Sequence, residues 1–268
     1  MSRLNKTFKT LRRAERTGLV TYVTAGDPTV ARTESILRTL DASGADVLEI
    51  GVPFSDPLAD GPVIQRASER ALAAGSTLTS TLNTLEKMRS SLEAPIVLFT
   101  YINPILSLGV DEFGARAGAA GIDGVLVLDL PVEEGKSFLD AMAKVEVDTI
   151  GLISPTTTTI RMKETIKCSR GFLYGISRLG VTGVRTELSQ DAEALVQRIR
   201  TVSDMPVALG FGISSPEHIR EVGRWADAAV VGSGLVSVIA EFGESDDLED
   251  RVERYISWLI SDGFQKRT

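Results

Sequence analysis

The feature that most constrains the fold is an alternation of short apolar runs with helical patterns, which repeats along the whole chain. The apolar runs are rich in β-branched residues, and each is followed by glycine, proline or polar residues and then by apolar residues at helical spacing. Such runs predict eight buried strands, at residues 19–24, 46–50, 95–100, 124–128, 147–152, 171–176, 206–209 and 227–231. Strands separated by helices pair in parallel, so the chain is predicted to be an α/β protein.

Eight strand–helix units in 268 residues fit a single closed (β/α)8 barrel, the TIM-barrel fold, over residues 1–268. An open, doubly wound sheet is the alternative arrangement. The strand runs are uniformly short, no composition shift marks a linker to a second domain, and no Gly-x-Gly-x-x-Gly motif opens the first helix. These three features favour the closed barrel.

Two additions to the basic barrel are predicted. Residues 4–16 have apolar side chains at helical spacing and predict an extra N-terminal lid helix before the first strand. After the second strand, a loop at 53–61 leads into two helical patterns, at 62–73 and 78–92, instead of one. The second strand is therefore expected to be followed by an extended insert of loop and helix.

Charge and composition exclude several classes of function. The net charge is −7 and the pI is about 5.0, which argues against a nucleic-acid partner because phosphate backbones require clustered lysine and arginine. The single Cys168 and single His218 leave no disulfide and no Cys/His metal site, and His218 is expected to lie at the surface in a first helical turn. No apolar stretch reaches the length of a signal peptide or a membrane span, so we expect a soluble cytoplasmic protein.

Residues 48–61 concentrate acidic residues and chain breakers beside a buried strand. Glu49 interrupts the apolar run, and a carboxyl group among core aliphatic side chains is costly unless it is paired or protonated. The following loop carries Asp60 back toward the same end of the strand, so two carboxyl groups are predicted to share one pocket and to transfer protons there. Asp60 could instead cap the helix that begins at Pro62, an alternative that the residues alone leave open.

Glycine-rich loops follow the last two predicted strands, at 210–214 and 232–234. Glycines let backbone N–H groups converge, and the second loop opens a helix whose N-terminus favours an anion. Because barrels often bind phosphate after these strands, the loops predict a phosphate site rather than simple tight turns. A third glycine-rich segment, at 177–183, is interpreted as a lid over bound substrate, with an exposed surface loop as the alternative.

The chain resembles the tryptophan synthase alpha subunit family in three segments, which are residues 48–61, residues 177–183 and the paired loops at 210–214 and 232–233. Supporting motifs at residues 24–28, 101–104 and 129–134 extend the resemblance over the whole chain. The resemblance implies retro-aldol cleavage of indole-3-glycerol phosphate to indole and glyceraldehyde 3-phosphate.

The same resemblance implies roles for particular residues. Glu49 is expected to be the general acid/base, Asp60 to stabilise the charge at the indole N–H, and Tyr174 to lie near Glu49. The residues expected to bind substrate are Tyr22, Phe99, Tyr101, Leu126, Thr182, Gly183, Phe211, Gly212, Ile213, Gly232 and Ser233. By composition alone the aromatic and aliphatic members are simply core residues. Tyr22 departs from the phenylalanine expected there, and its hydroxyl needs a partner beside the indole.

The resemblance also implies a beta subunit as partner, in an alpha2beta2 heterotetramer, with pyridoxal phosphate in that partner and no cofactor in this chain. Three alternatives are open. An indole-glycerol-phosphate synthase would use the same phosphate site, but it needs a catalytic lysine at a strand end, and none of the eight runs contains lysine. A non-catalytic subunit would not need Glu49 and Asp60. A stand-alone lyase that releases free indole differs only in lacking the partner.

Overall fold

One parallel sheet forms the centre of the computed structural model, which describes residues 1–176, 190–210 and 212–261. Within these ranges its nine strands are β1 (Gly18–Thr24), β2 (Val47–Gly51), β3 (Ile96–Thr100), β4 (Gly124–Val127), β5 (Asp148–Thr149), β6 (Gly151–Ile153), β7 (Leu173–Ile176), β8 (Val207–Gly210) and β9 (Ala228–Val231). The strand order is β5-β4-β3-β2-β1-β9-β8-β7-β6. The first and last strands of this order are sequence neighbours, so the sheet curls into a nearly closed barrel.

The barrel prediction is confirmed, with one correction at the fifth strand. The run predicted as one strand at 147–152 is two short strands, β5 and β6, on either side of Ile150. β5 pairs with β4, whereas β6 pairs with β7. The chain therefore changes its pairing partner at Ile150, which is why neither piece extends across the full run.

The helices surround the barrel. They are α1 (Arg3–Arg13), α2 (Val30–Ala42), α3 (Pro62–Ala73), α4 (Leu78–Met88), α5 (Ile102–Leu108), α6 (Val110–Ala119), α7 (Lys136–Lys144), α8 (Thr159–Cys168), α9 (Gln190–Arg200), α10 (Pro216–Gly223), α11 (Ser233–Phe242) and α12 (Leu248–Ser261), with 3-10 turns at Arg89–Ser91 and Val132–Glu134. Both α3 and α4 follow β2, as the insert prediction requires. In the described ranges, none of these helices has the length and apolar character to span a membrane.

The N-terminal helix α1 closes the amino end of the barrel. It ends at Arg13, short of the predicted residue 16. Its apolar face, Leu4, Phe8 and Leu11, packs into the same buried cluster as the inward-facing side chains of the strands. The ring centroids of Phe8 and Phe172 are 5.2 Å apart. Since α1 plugs one end of the barrel, a substrate pocket can open only at the other, where the strands have their carboxyl ends.

Candidate active site

A pocket that is partly open to solvent lies at the carboxyl ends of the strands. Its walls come from β1, β2, β3, β7 and β9, from the loops that follow β2, β8 and β9, and from the first turns of α3 and α11. The lining residues are Tyr22, Glu49, Asp60, Gly61, Ile64, Phe99, Tyr174, Gly212, Ile213, Ser214, Val230, Gly232, Ser233 and Gly234. The pocket thus joins the acidic segment after β2 to the glycine-rich loops near the end of the chain.

Glu49 is fully buried on β2, between Tyr22 of β1 and Val97 of β3 in the strand register. Neither of its carboxyl oxygens has a hydrogen-bond partner among the described residues. Burial raises the pKa of this carboxyl from 4.5 to about 8, and the charge of Asp60 acts in the same direction. Glu49 is therefore mostly protonated at neutral pH and can donate its proton.

Asp60 lies in the loop before α3, where the Tyr101 hydroxyl donates a hydrogen bond of 3.0 Å to its Oδ2. Burial raises the pKa of Asp60 from 3.8 to about 6, and the bond from Tyr101 opposes that rise. The N-cap of α3 is Gly61, without a side-chain cap, so Asp60 does not cap this helix. At neutral pH the pocket holds one mostly neutral and one mostly ionised carboxyl group.

Aromatic side chains form the wall beside the two acids. Tyr22 packs edge-on against Phe99, with centroids 5.3 Å apart, and Phe99 lies 6.4 Å from Tyr174. The Tyr22 hydroxyl lies 3.4 Å from Thr24 Oγ1, which supplies the partner that its burial calls for. A Cβ at Gly51 would lie 2.1 Å from that hydroxyl, so only glycine leaves room for Tyr22 in this position.

The opposite side of the pocket consists largely of backbone. Gly212 has a positive φ of 80°, a conformation that favours glycine. The helix α11 begins at Ser233, and its N-cap Gly232 makes no side-chain cap bond. The first N–H groups of a helix lack partners within it and carry partial positive charge. Because α11 has no acidic residue in its first turn and no lysine or arginine lines the pocket in the described chain, backbone amides and the hydroxyls of Ser214 and Ser233 are the groups on this side that can hold an anion.

The predicted site residues divide into three groups. The pocket brings together Tyr22, Glu49, Asp60, Phe99, Tyr174, Gly212, Ile213, Gly232 and Ser233. Two others do not line it: Leu126 is buried in the barrel interior, and Tyr101 contacts the pocket through Asp60. Thr182, Gly183 and Phe211 lie outside the described residues.

Sequence reasoning missed two apolar lining residues, Ile64 on α3 and Val230 on β9. In the sequence, both residues belong to apolar patterns that cannot be distinguished from those of core residues. The only signal that they lie close to pocket loops is the nearby Gly61 and Gly232. The expectation that His218 lies at the surface is wrong: the side chain is 6% exposed. Its imidazole Nδ1 accepts a hydrogen bond from the Ser214 N–H, because α10 turns this face toward the loop after β8.

Two carboxyl groups of unequal pKa and an amide-lined end, placed at the carboxyl ends of barrel strands, are suited to proton transfer on an anionic substrate. In the described part of the chain, no cluster of His, Cys, Asp and Glu could ligate a metal ion. The fold and the position of the pocket place the protein in the class of (β/α)8-barrel enzymes.

Comparison with known proteins gives the family. The model of the tryptophan synthase alpha chain family matches residues 8–261. The tryptophan synthase alpha chain of Solibacter usitatus (strain Ellin6076) is 49% identical over 255 residues, covering 95% of this chain and 96% of that protein. The structure of Mycobacterium tuberculosis tryptophan synthase aligns with a TM-score of 0.91 at 36% identity and covers 99% of both chains.

A tryptophan synthase complex from Pyrococcus furiosus also aligns, with a TM-score of 0.84 at 36% identity, covering 91% of this chain and 98% of that one. The chain therefore belongs to the tryptophan synthase alpha chain family. It is accordingly a lyase of tryptophan biosynthesis.

Proposed function

We propose that this chain cleaves indole-3-glycerol phosphate to indole and glyceraldehyde 3-phosphate, with Glu49 as general acid/base. The observation that carries this proposal is the pair of carboxyl groups in one pocket, with the pKa of Glu49 near 8 and that of Asp60 near 6. Two carboxyl groups with opposite protonation states can divide acid and electrostatic roles between them. Family membership gives the substrate to which these roles apply.

The cleavage requires one proton to be added and one to be removed. Neutral Glu49 donates its proton to indole C3, which gives the indolenine form of the ring. The resulting carboxylate then takes the proton from the hydroxyl on the adjacent glycerol carbon as the carbon–carbon bond breaks. The electrons of the broken carbon–carbon bond return to the indole ring, and the electrons of the O–H bond form the carbonyl of glyceraldehyde 3-phosphate. Glu49 ends protonated, as it began, so one group serves both steps.

Asp60 has the complementary task. Protonation of C3 places positive charge on the indole nitrogen, and a carboxylate beside the ring N–H stabilises that charge. The loop before α3 holds Asp60 at the pocket, and the Tyr101 hydroxyl, which also accepts the Ala59 N–H at 3.0 Å, fixes its position. Tyr101 is thus a positioning residue for Asp60.

The remaining predicted residues bind the rest of the substrate. Tyr22, Phe99 and Tyr174 form a wall against which the flat indole ring can pack. The backbone amides near Gly212, Gly232 and Ser233 face the phosphate, favoured by the N-terminus of α11. We include Leu126, Thr182, Gly183 and Phe211 in the proposed site from the family resemblance. Carboxyl chemistry suffices for both proton transfers, so the proposal requires no cofactor in this chain.

We further propose that a beta subunit binds over the catalytic face, in an alpha2beta2 assembly, with pyridoxal phosphate in the beta subunit. Leu58, in the same loop as Asp60, is 93% exposed, and Leu106, on α5 after β3, is 57% exposed. Exposed leucines on the loop after β2 and on the helix after the neighbouring strand β3 support a protein partner. A biosynthetic role on a phosphorylated intermediate also supports a cytoplasmic location.

The test of the reaction is direct. The purified chain, given indole-3-glycerol phosphate, should release indole and glyceraldehyde 3-phosphate in equal amounts, measured by indole absorbance and a coupled dehydrogenase. Asp60→Asn should lower kcat by roughly a hundredfold, because the amide cannot stabilise the ring charge, while the melting temperature stays within a few degrees. No cleavage by the unmodified chain, with or without a beta subunit, would refute the proposed reaction.

The partner is tested by addition. A beta subunit of the same source should raise kcat by roughly tenfold, equivalent to about 1.4 kcal/mol of barrier, because binding orders the loop that carries Asp60. Leu58→Ser should weaken the complex and leave the activity of the free chain within about twofold. Equal kcat with and without a demonstrated complex would instead favour a stand-alone lyase that releases free indole.

A further inference from the structure

Two side chains outside the pocket hold the same residue of the loop after β8. The Ser214 N–H donates to Nδ1 of His218 on α10, with 3.3 Å between the two nitrogens. The Ser214 carbonyl oxygen accepts from the hydroxyl of Tyr255 on α12, also at 3.3 Å. Ser214 itself lines the pocket. Both peptide groups of a pocket residue are therefore tied to helices of the outer ring.

His218 is placed for this contact by the start of α10. Ser215 is the N-cap of this helix, and its hydroxyl accepts from the His218 N–H at 3.4 Å. The imidazole in turn reaches back to the residue before the cap. This reciprocal pair resembles a capping box, displaced by one residue toward the loop. It requires Nδ1 to be unprotonated, since a nitrogen that bears a proton cannot accept a hydrogen bond.

Tyr255 links the two glycine-rich loops. A Cβ at Gly234 would lie 2.3 Å from the Tyr255 hydroxyl and 3.4 Å from the Ser214 Cβ. Glycine at 234 thus lets the hydroxyl sit between the first turn of α11 and the loop after β8. Burial raises the pKa of Tyr255 to about 12, so the hydroxyl keeps its proton and remains a donor. The helix α12 packs against both α10 and α11, which fixes the tyrosine from the outside.

We propose that His218 and Tyr255 are positioning residues that brace the phosphate-binding loops, an inference that rests on the proposed function. The loop after β8 contains Gly212 in a positive-φ conformation, with nothing within 4 Å of where its Cβ would lie. A glycine in such an uncrowded position has conformational freedom that binding an anion must restrict, at a cost in entropy. Holding Ser214 from both sides orders the loop in advance, so the bracing lowers the cost of binding the phosphate group.

The variants separate a lost hydrogen bond from lost packing. Tyr255→Phe removes only the hydroxyl, and His218→Leu removes the acceptor but keeps the bulk. His218→Asn is the rescue variant, because its Oδ1 branches from Cγ as Nδ1 does and can accept from the Ser214 N–H. Trp258→Phe is the control, since the Trp258 ring packs against Tyr255 at a tilt of 37°, with centroids 5.8 Å apart, and has no contact with Ser214 among those described. The probe is inorganic phosphate, titrated into the full-length chain by calorimetry, followed by KM and kcat.

Tyr255→Phe and His218→Leu should each raise the Kd of phosphate and the KM of substrate about threefold to tenfold, the range for one neutral hydrogen bond. kcat should stay within about twofold, and His218→Asn and Trp258→Phe should bind phosphate as the unmodified chain does. An unchanged Kd of phosphate in Tyr255→Phe and His218→Leu would overturn the proposal that these residues brace the loops, but not the proposed reaction. Equal losses in His218→Asn and His218→Leu, in step with melting temperature, would also overturn it. If the unmodified chain binds no phosphate, the phosphate site and its bracing both fail.

Discussion

At the amino end of the barrel, acidic side chains at the starts of strands are paired, whereas at the carboxyl end Glu49 has no described partner. The four aspartates of the amino end are Asp46, Asp123, Asp148 and Asp227. Three of them accept a backbone N–H from the neighbouring strand, at Leu19, Ile96 and Val207. The barrel thus contains buried carboxyl groups in two kinds of surroundings.

The N-terminal segment 2–16, which contains α1, supplies one partner to each of the four aspartates. Arg3 pairs with Asp123 and Arg12 with Asp227, while Arg16, just beyond the helix, pairs with Asp46. Ser2, the N-cap of the helix, donates to Asp148 at 2.6 Å. The same segment that plugs the barrel with apolar side chains is therefore also bound to it by charge.

The contrast between Asp227 and Glu49 shows that partners, rather than burial, decide the charge state. Burial acts to raise the pKa of Asp227, yet the hydrogen bond from Arg12, the charge of Arg200 and the Val207 N–H outweigh it, and the pKa is below 3.8. Glu49 has burial and the neighbouring Asp60 carboxylate, which both raise its pKa. The partners of Asp227 hold its carboxyl group as an anion, whereas the surroundings of Glu49 keep its carboxyl group protonated at neutral pH.

The largest effect is expected at Glu49. Glu49→Gln keeps the shape but removes the proton, so kcat should fall by roughly 10²–10⁴-fold, the usual contribution of a general acid. The folded pKa of Glu49 lies above its unfolded value of 4.5, so the folded state binds more protons between pH 4.5 and about 8. Stability therefore falls as pH rises through this window, and the amide escapes that loss.

Urea unfolding at pH 5 and pH 9 measures this difference. Glu49→Gln should be more stable than the unmodified chain at pH 9, by a few kcal/mol and at most about 5, and the difference should shrink toward pH 5. A gain in stability that does not change with pH would mean that Glu49 is not protonated in the folded state. Retention of more than a few per cent of kcat would exclude its role in proton transfer.

At the amino end, Asp227→Asn should have the converse result. The amide can still accept from the Val207 N–H but leaves Arg12 and Arg200 without their charge partner. The free energy of unfolding at pH 7 should fall by about 2–3 kcal/mol, below the loss for a fully buried pair because both arginines remain partly exposed. The measurement is urea unfolding, with kcat of the folded fraction as the comparison.

Asp227→Asn should leave kcat within about twofold, since α1 and the pocket lie at opposite ends of the barrel. The loss of stability should itself vanish at low pH, because the native Asp227 is stabilising above the unfolded pKa and loses that contribution as it is protonated. A large fall in kcat without unfolding would contradict the view that the amino end of the barrel serves stability and the carboxyl end serves catalysis.

Much of the fold was open to prediction because strands buried on both faces leave continuous apolar runs. The bounds of α3 were predicted to the residue, since Pro62 marks the first turn. The break at Ile150 was not, because it depends on which distant strands, β4 or β7, supply the hydrogen bonds. The sequence around Ile150 does not predict which of these strands it pairs with.

In the site, the residues that could be predicted from the sequence are those whose chemistry conflicts with their sequence neighbours. Glu49 stands out as an acid in an apolar strand, whereas Val230 is an apolar residue in an apolar strand and shows no conflict. His218 was placed at the surface because a first helical turn does not reveal which side faces the barrel. The bond between Tyr101 and Asp60 joins residues 41 apart, on different loops, and no local pattern predicts it.

The smallest predicted effect concerns that bond. The hydrogen bond from Tyr101 acts to lower the pKa of Asp60, so Tyr101→Phe should move this pKa above about 6. In the pH profile of kcat/KM, the acidic limb reports Asp60 losing its charge, and the basic limb reports Glu49 losing its proton. The acidic limb should shift upward by less than about one pH unit and the basic limb should stay near pH 8, so the rate at pH 7 falls only a few-fold.

The matched control is Tyr101→Phe in the Asp60→Asn background, where no carboxyl remains to be shifted and the residual rate should show no further change in its acidic limb. If both limbs of the single variant coincide with those of the unmodified chain, Tyr101 does not tune Asp60, and the charge at the catalytic end is set by burial alone.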